Sequence, residues 1–249
     1  MSKLWLFLLC VFFAGVVVAQ EAPRVELFGG YSYLRIDTGD ISSSSLNAQC
    51  NLVLGAGACP DGTFKVRPDF NGWNSAAQFN FNREFGLKVE GSGHYGTPLA
   101  VSSAVLSVAN SFGITGFPPK SQTYSFLAGP VISNPQEKYT PFLHVLAGIN
   151  RLQADRVGTG IFGPALNIPA SVRISDDAFA LVLGGGVDFK VNRYLWFRAA
   201  QFDYLLTTHD PNAMVNSAVG TPVLSGLSTH QNNFRYSAGA VFHFGGTVK

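Results

Sequence analysis

The sequence predicts an all-β chain: an eight-stranded antiparallel up-and-down transmembrane β-barrel with four long extracellular loops and short periplasmic turns. Three observations predict it. Segments of about ten residues alternate apolar and polar side chains, as half-buried strands do. The links between these segments alternate between long and short. Charge is scarce, and what there is on the strands lies on the face opposite Phe, Leu and Val.

Composition narrows the class first. Across 249 residues, 47% are hydrophobic and 13% charged, about half the charged share of an ordinary soluble domain. The net charge of +2 provides no basic field for nucleic acid. Aromatic and aliphatic residues run the length of the chain, which argues against disorder. The 27 Gly and 21 Phe beside 2 Met suit strands and turns better than a helical bundle.

Residues 1–19 read as a secretory signal peptide: Lys3, an apolar run over 4–18, then Val17-Val18-Ala19 at a cleavage site. The run is short for a membrane anchor of roughly 20 residues. Cys10, followed by Val11, lacks the small residues that precede a lipidated cysteine. Residues 20–249 then form one barrel domain. Its two cysteines, Cys50 and Cys59, lie in a Gly-, Ser- and Asn-rich stretch with no CxxC pair and no nearby His. In an exported chain they read as a disulfide closing a surface loop.

Eight strands are expected, at 24–36, 70–81, 87–96, 121–132, 140–150, 177–189, 195–206 and 232–244. In the last, Phe234, Tyr236, Ala238, Ala240, Phe242 and Phe244 oppose Arg235, Ser237, Gly239, Val241 and His243. The third sets Leu87 and Val89 against Lys88 and Glu90, and the second sets Trp73, Phe79 and Phe81 against Asn74, Gln78 and Asn80. The seventh breaks the pattern. Arg198 and Asp203 have opposite parity, so either a bulge intervenes or one of them points outward near the rim. Tight turns are expected around Arg83, Pro135 and Asn192. Loops of more than twenty residues are expected at 37–69, 97–120, 151–176 and 207–231, and a soluble domain seldom carries four such loops.

Backbone hydrogen bonding then selects a closed sheet. An unpaired amide in hydrocarbon costs several kcal/mol, and tilted strands of about ten residues cross the apolar slab. Leu87, Val89, Phe79, Phe81, Leu181, Leu183, Phe242 and Phe244 would face lipid. Glu26, Lys88, Glu90, Asp188 and Arg235 would face inward and pair across a bore just wide enough for side chains. Tyr31, Tyr33, Trp73, Phe81, Tyr95, Tyr139, Phe189, Trp196, Tyr204, Phe234 and Phe244 sit where aromatic girdles belong.

Several fragments, in order, resemble a known family. They are Val25-Glu26-Leu27-Phe28-Gly29-Gly30-Tyr31-Ser32-Tyr33, Gly72-Trp73-Asn74, Phe79-Asn80-Phe81-Asn82-Arg83 with Gly86-Leu87, Leu127-Ala128-Gly129-Pro130, Pro141-Phe142 with Gly148, Gly184-Gly185-Gly186-Val187-Asp188, and Gly239 with Phe244. Together they look like the small eight-stranded outer-membrane barrels similar to the OmpA transmembrane domain and the opacity-type porin-family proteins. The resemblance implies a bacterial outer-membrane location, with outer-membrane lipid and the barrel assembly machinery as partners; the chain is expected to be a monomer. Gly245 to Lys249 depart from it, since such barrels often end on the closing aromatic.

Some barrels of this kind are enzymes acting on lipid or protein. His209-Asp210 and His230 share the last loop with Ser225 and Ser228, but the His-x-Ser of a lipid A deacylase is missing, because Gln231-Asn232 follows His230. These read as polar loop residues. His94, His144 and His243 read as hydrogen-bonded lumen histidines. Asp37 with Asp40 is too small a set for a divalent site, and Gly184-Gly185-Gly186 lacks the Lys-Ser/Thr ending of a phosphate loop. No cofactor and no enzymatic activity are expected. Residues 97–119 carry no charge and are a candidate for binding an extracellular apolar ligand. The reading is a non-enzymatic barrel serving envelope integrity or surface interaction, with a narrow channel for small or hydrophobic solutes as first rival and a lipid-modifying enzyme as second.

Overall fold

In the computed structural model, residues 22–37, 40–42, 63–65, 69–96, 121–158, 171–209 and 230–248 are described here. Eight strands close into an antiparallel barrel: β1 (Ala22–Arg35), β4 (Asp69–Asn80), β5 (Phe85–Gly96), β6 (Ser121–Ser133), β7 (Tyr139–Gly158), β8 (Ser171–Lys190), β9 (Leu195–Thr207) and β10 (Gln231–Val248). Each pairs with its sequence neighbour, and β1 completes the ring between β4 and β10. A small hairpin, β2 (Asp40–Ser42) with β3 (Thr63–Lys65), occupies part of the first long connection.

The tight turns at one end explain themselves chemically. The Asn82 side-chain oxygen accepts from the N–H groups of Glu84 and Phe85 at 2.9 and 2.8 Å. Asn192 repeats the device with Tyr194 and Leu195, both at 2.9 Å. An Asn that bonds the backbone two residues on stabilises a turn without an apolar contact. These turns, and the start of β1, mark one end of the barrel, called the turn end below; the long connections leave from the other, the loop end.

Two expectations need correction. Residues 151–176 are not one long loop. β7 and β8 include 151–158 and 171–176 and pair there, with Arg151 opposite Asp177 and Leu152 opposite Asp176, and a register shift between Ala154 and Val157. The alternation continues in Arg151-Leu152-Gln153-Ala154-Asp155 and in Ser171-Val172-Arg173-Ile174-Ser175, but a strand of about ten residues is all that the apolar slab requires, and these segments extend beyond it. The segment after Phe244 is strand as well. Val248 pairs with Ala22 and Thr247 with Pro23, while Gly245 and Gly246 take positive φ values of 79° and 73° opposite Arg24. Such a bulge requires residues without a Cβ.

The two surfaces of the wall are inverted relative to a soluble barrel. Leu87, Val89, Phe79, Phe81, Leu183, Phe242 and Phe244 lie exposed on the outside, and Leu181 is half-buried on the same face. Of the expected girdle aromatics Trp196 is the exception: it is buried inside. Apolar side chains also enter the bore in two layers. Phe28, Ala76, Trp196 and Val241 close the turn end, and Leu34, Ile36, Phe70, Leu127, Leu146, Ala180, Val182 and Leu205 fill the bore toward the loop end.

Candidate functional site

Between those apolar layers lies a cluster of buried charge. Arg235 projects from β10 and donates to Asp203 of β9 at 2.6 and 2.8 Å, and to Glu90 of β5. Lys88, two residues before Glu90 on the same inward face, reaches Glu90 at 2.9 Å. Arg198 forks onto Asp188 with bonds of 2.8 and 2.9 Å. Gln201 joins the two halves: it accepts from Arg198 at 2.7 Å and from Lys88 at 3.3 Å, and donates to Asp203 at 2.8 Å and Glu90 at 3.3 Å. The cations Lys88, Arg198 and Arg235 thus match the anions Glu90, Asp188 and Asp203 one for one, and all six are buried.

His144 completes the cluster without disturbing that balance. Lys88 can only donate, so the His144 Nδ1 at 3.3 Å accepts, and its Nε2–H donates to Asp203 at 3.0 Å. Gly184 makes this contact possible: a Cβ there would lie 2.0 Å from the Asp203 carboxylate and 2.8 Å from the His144 ring. Aromatic rings brace the charges from the turn end. The Arg198 guanidinium carbon lies 4.4 Å from the Phe28 ring centroid and 4.2 Å from that of Phe142, an arrangement that stabilises a desolvated cation.

The ambiguity in β9 resolves into a bulge. Asp188 pairs with Arg198 but Val187 pairs with Ala200, and Gly239 pairs with Arg198 but Ser237 with Gln201. One extra residue at Ala199-Ala200 therefore returns Gln201 and Asp203 to the inside, where Trp196 and Arg198 already point. Trp196 is drawn inward because it shares the parity of Arg198, and its ring lies 5.0 Å from His243. The carbonyl displaced by the bulge is served from the outer face: the Tyr236 hydroxyl donates to Ala199 O at 3.0 Å.

Of the expected lumen charges, Lys88, Glu90, Asp188 and Arg235 meet in this cluster. Glu26 does not. It lies nearer the turn end, accepting from Asn80 at 2.7 Å and facing His243 at 4.0 Å, beside a cavity of about 20 Å³ lined also by Pro23, Ser133 and Thr140, room for a water or two. His94 bonds Ser32 at 2.8 Å. Arg198, Gln201 and Asp203 are the members alternation could not place, because the bulge scrambles the parity that would have marked them.

His209 also departs from expectation. It is 2% exposed rather than a loop polar residue, with Nδ1 2.8 Å from Asp176 and Nε2 2.7 Å from the Asn150 oxygen. It caps the loop end of the bore beside a second cavity, of about 10 Å³. His230 is exposed. Cys50, Cys59, Asp210, Ser225, Ser228 and residues 97–119 lie outside the described residues, as do residues 1–19. Among the described residues no group of three His, Cys, Asp or Glu could hold a metal ion.

No protein-family model matches the chain, and no curated protein matches it. Solved structures do. The chain is similar to Neisserial surface protein A, at 13% identity and a TM-score of 0.48, covering 90% of this chain and 100% of that one. It is similar to OprG from Pseudomonas aeruginosa, an outer membrane protein, at 12% and 0.48, covering 91% and 98%. It is also similar to Ail, the attachment invasion locus protein of Yersinia pestis, at 16% and 0.42, covering 87% and 98%.

Proposed function

We propose that this chain is an outer-membrane β-barrel whose bore is a structural plug rather than a conduit, and that it serves the cell envelope as a non-enzymatic scaffold for surface interaction through its long loops. The observation that carries the reading is the charge-balanced cluster of Lys88, Arg198, Arg235, Glu90, Asp188 and Asp203, set in a wall whose outer face is Phe, Leu and Val. Burying these ions costs several kcal/mol each unless they are paired. Their reciprocal pairing, and the apolar layers above and below, leave no wide aqueous path through the centre. A catalytic reading finds no support in the cluster, since every charged group there is engaged by an opposite charge.

Two measurements test this. Heat-modifiable migration of the membrane fraction on gels reports a folded barrel, and an unchanged band would remove the membrane reading. Planar bilayers containing the purified protein should show no large, stable conductance steps, and porin-sized steps would replace the plug with the channel reading.

A further inference from the structure

The turn end of the barrel carries an arc of cations that no acidic side chain among the described residues pairs with. Lys138 ends the β6–β7 turn, and Lys190 adjoins it, its N–H donating to Lys138 O at 2.9 Å. Arg193 follows in the β8–β9 turn, which is tied to β10 by a 2.9 Å bond from His243 N to Tyr194 O. Arg24 opens β1, the next strand round. All four are exposed, and among the described residues none of them forms an ion pair. Among the described residues, Glu84 and Glu137 are the exposed carboxylates of this end. At the loop end, by contrast, the exposed Arg35 and Arg151 each face an aspartate, Asp69 at 3.9 Å and Asp177 at 3.6 Å.

The arc sits on a ring of outward aromatics. Arg24 lies 5.5 Å from the Phe79 ring centroid and Arg193 4.7 Å from that of Tyr194, while Tyr139 and Phe189, a cross-strand pair, stand exposed beside Lys138 and Lys190. Aromatic rings mark the boundary between headgroups and acyl chains. Long cationic side chains placed just beyond it extend into the headgroup layer, where each contributes attraction to anionic lipid.

We propose that this arc, Arg24, Lys138, Lys190 and Arg193, binds the phosphate headgroups of anionic phospholipid in the leaflet the turns face. The proposal rests on the membrane reading above. The mature chain is folded into phosphatidylcholine vesicles, and association of spin-labelled phosphatidylglycerol is compared with that of spin-labelled phosphatidylcholine. The wild type should favour phosphatidylglycerol by about twofold or more averaged over its lipid shell, with the preference reduced by salt. The variant carrying Lys138→Gln, Lys190→Gln and Arg193→Gln should lose most of that preference. The variant carrying Arg35→Gln and Arg151→Gln should keep it. No preference in the wild type, or the same preference in the turn-end variant, overturns the proposal while leaving the barrel intact. Failure of the wild type to insert, seen as an unshifted gel band, overturns the membrane reading and this proposal with it.

Discussion

Arg235 and Phe234 are neighbours in the chain, yet the first is 0% and the second 45% exposed. The difference between them is the difference between the bore and the outer wall. Inside, each charged group of the cluster is fixed by a partner of opposite sign, and removing one strands another in a medium that cannot solvate it. Outside, the apolar side chains need no particular partner. The bore is therefore specific and brittle, and the wall is tolerant of any apolar residue but intolerant of charge.

Breaking the bore should give the largest effect. Arg235→Met leaves Glu90 and Asp203 without their shared cation, and should cost about 3–5 kcal/mol, read as a fall in the urea midpoint of the barrel in vesicles. On the wall, Leu183→Arg places an ion among acyl chains near the middle of β8 and should cost about 2–4 kcal/mol in the same titration, whereas Leu183→Phe should be nearly neutral. Tyr236→Phe tests the place where wall and bore meet. It removes the hydroxyl that serves the Ala199 carbonyl, and should cost about 1–3 kcal/mol with no change in gel mobility of the folded form. At the rim, Arg151→Gln removes an exposed pair with Asp177 and should cost less than about 1 kcal/mol.

How much of this was legible in the chain follows from the same contrast. Alternation reads a strand well when its two faces meet two different media, as in β5 and in β10 up to Phe244. It fails where a strand outruns the slab. β7 and β8 run on well past the ten or so residues that cross the slab, so 151–158 and 171–176 read as loop although they are strand. It fails again where backbone geometry changes the count: the extra residue at Ala199-Ala200 hid Arg198, Gln201 and Asp203 from any parity rule and sent Trp196 to the wrong side. Partner choice was not legible at all. Glu26 shares the inward face with the cluster residues but bonds Asn80 and meets Asp188 only across the cavity that both line, and His209 reads as loop until the Asp176 carboxylate is brought beside it by strand pairing.

Tryptophan fluorescence tests the inverted wall most directly. After removal of residues 1–19 the sequence retains two tryptophans, Trp73, 43% exposed on the outer face, and Trp196, 6% exposed in the bore. In vesicles of brominated phosphatidylcholine, a variant carrying Trp196→Phe should lose most of its emission through contact of Trp73 with bromine, while a variant carrying Trp73→Phe should emit nearly as brightly as in ordinary lipid. Strong quenching of Trp196 with Trp73 spared would contradict the account.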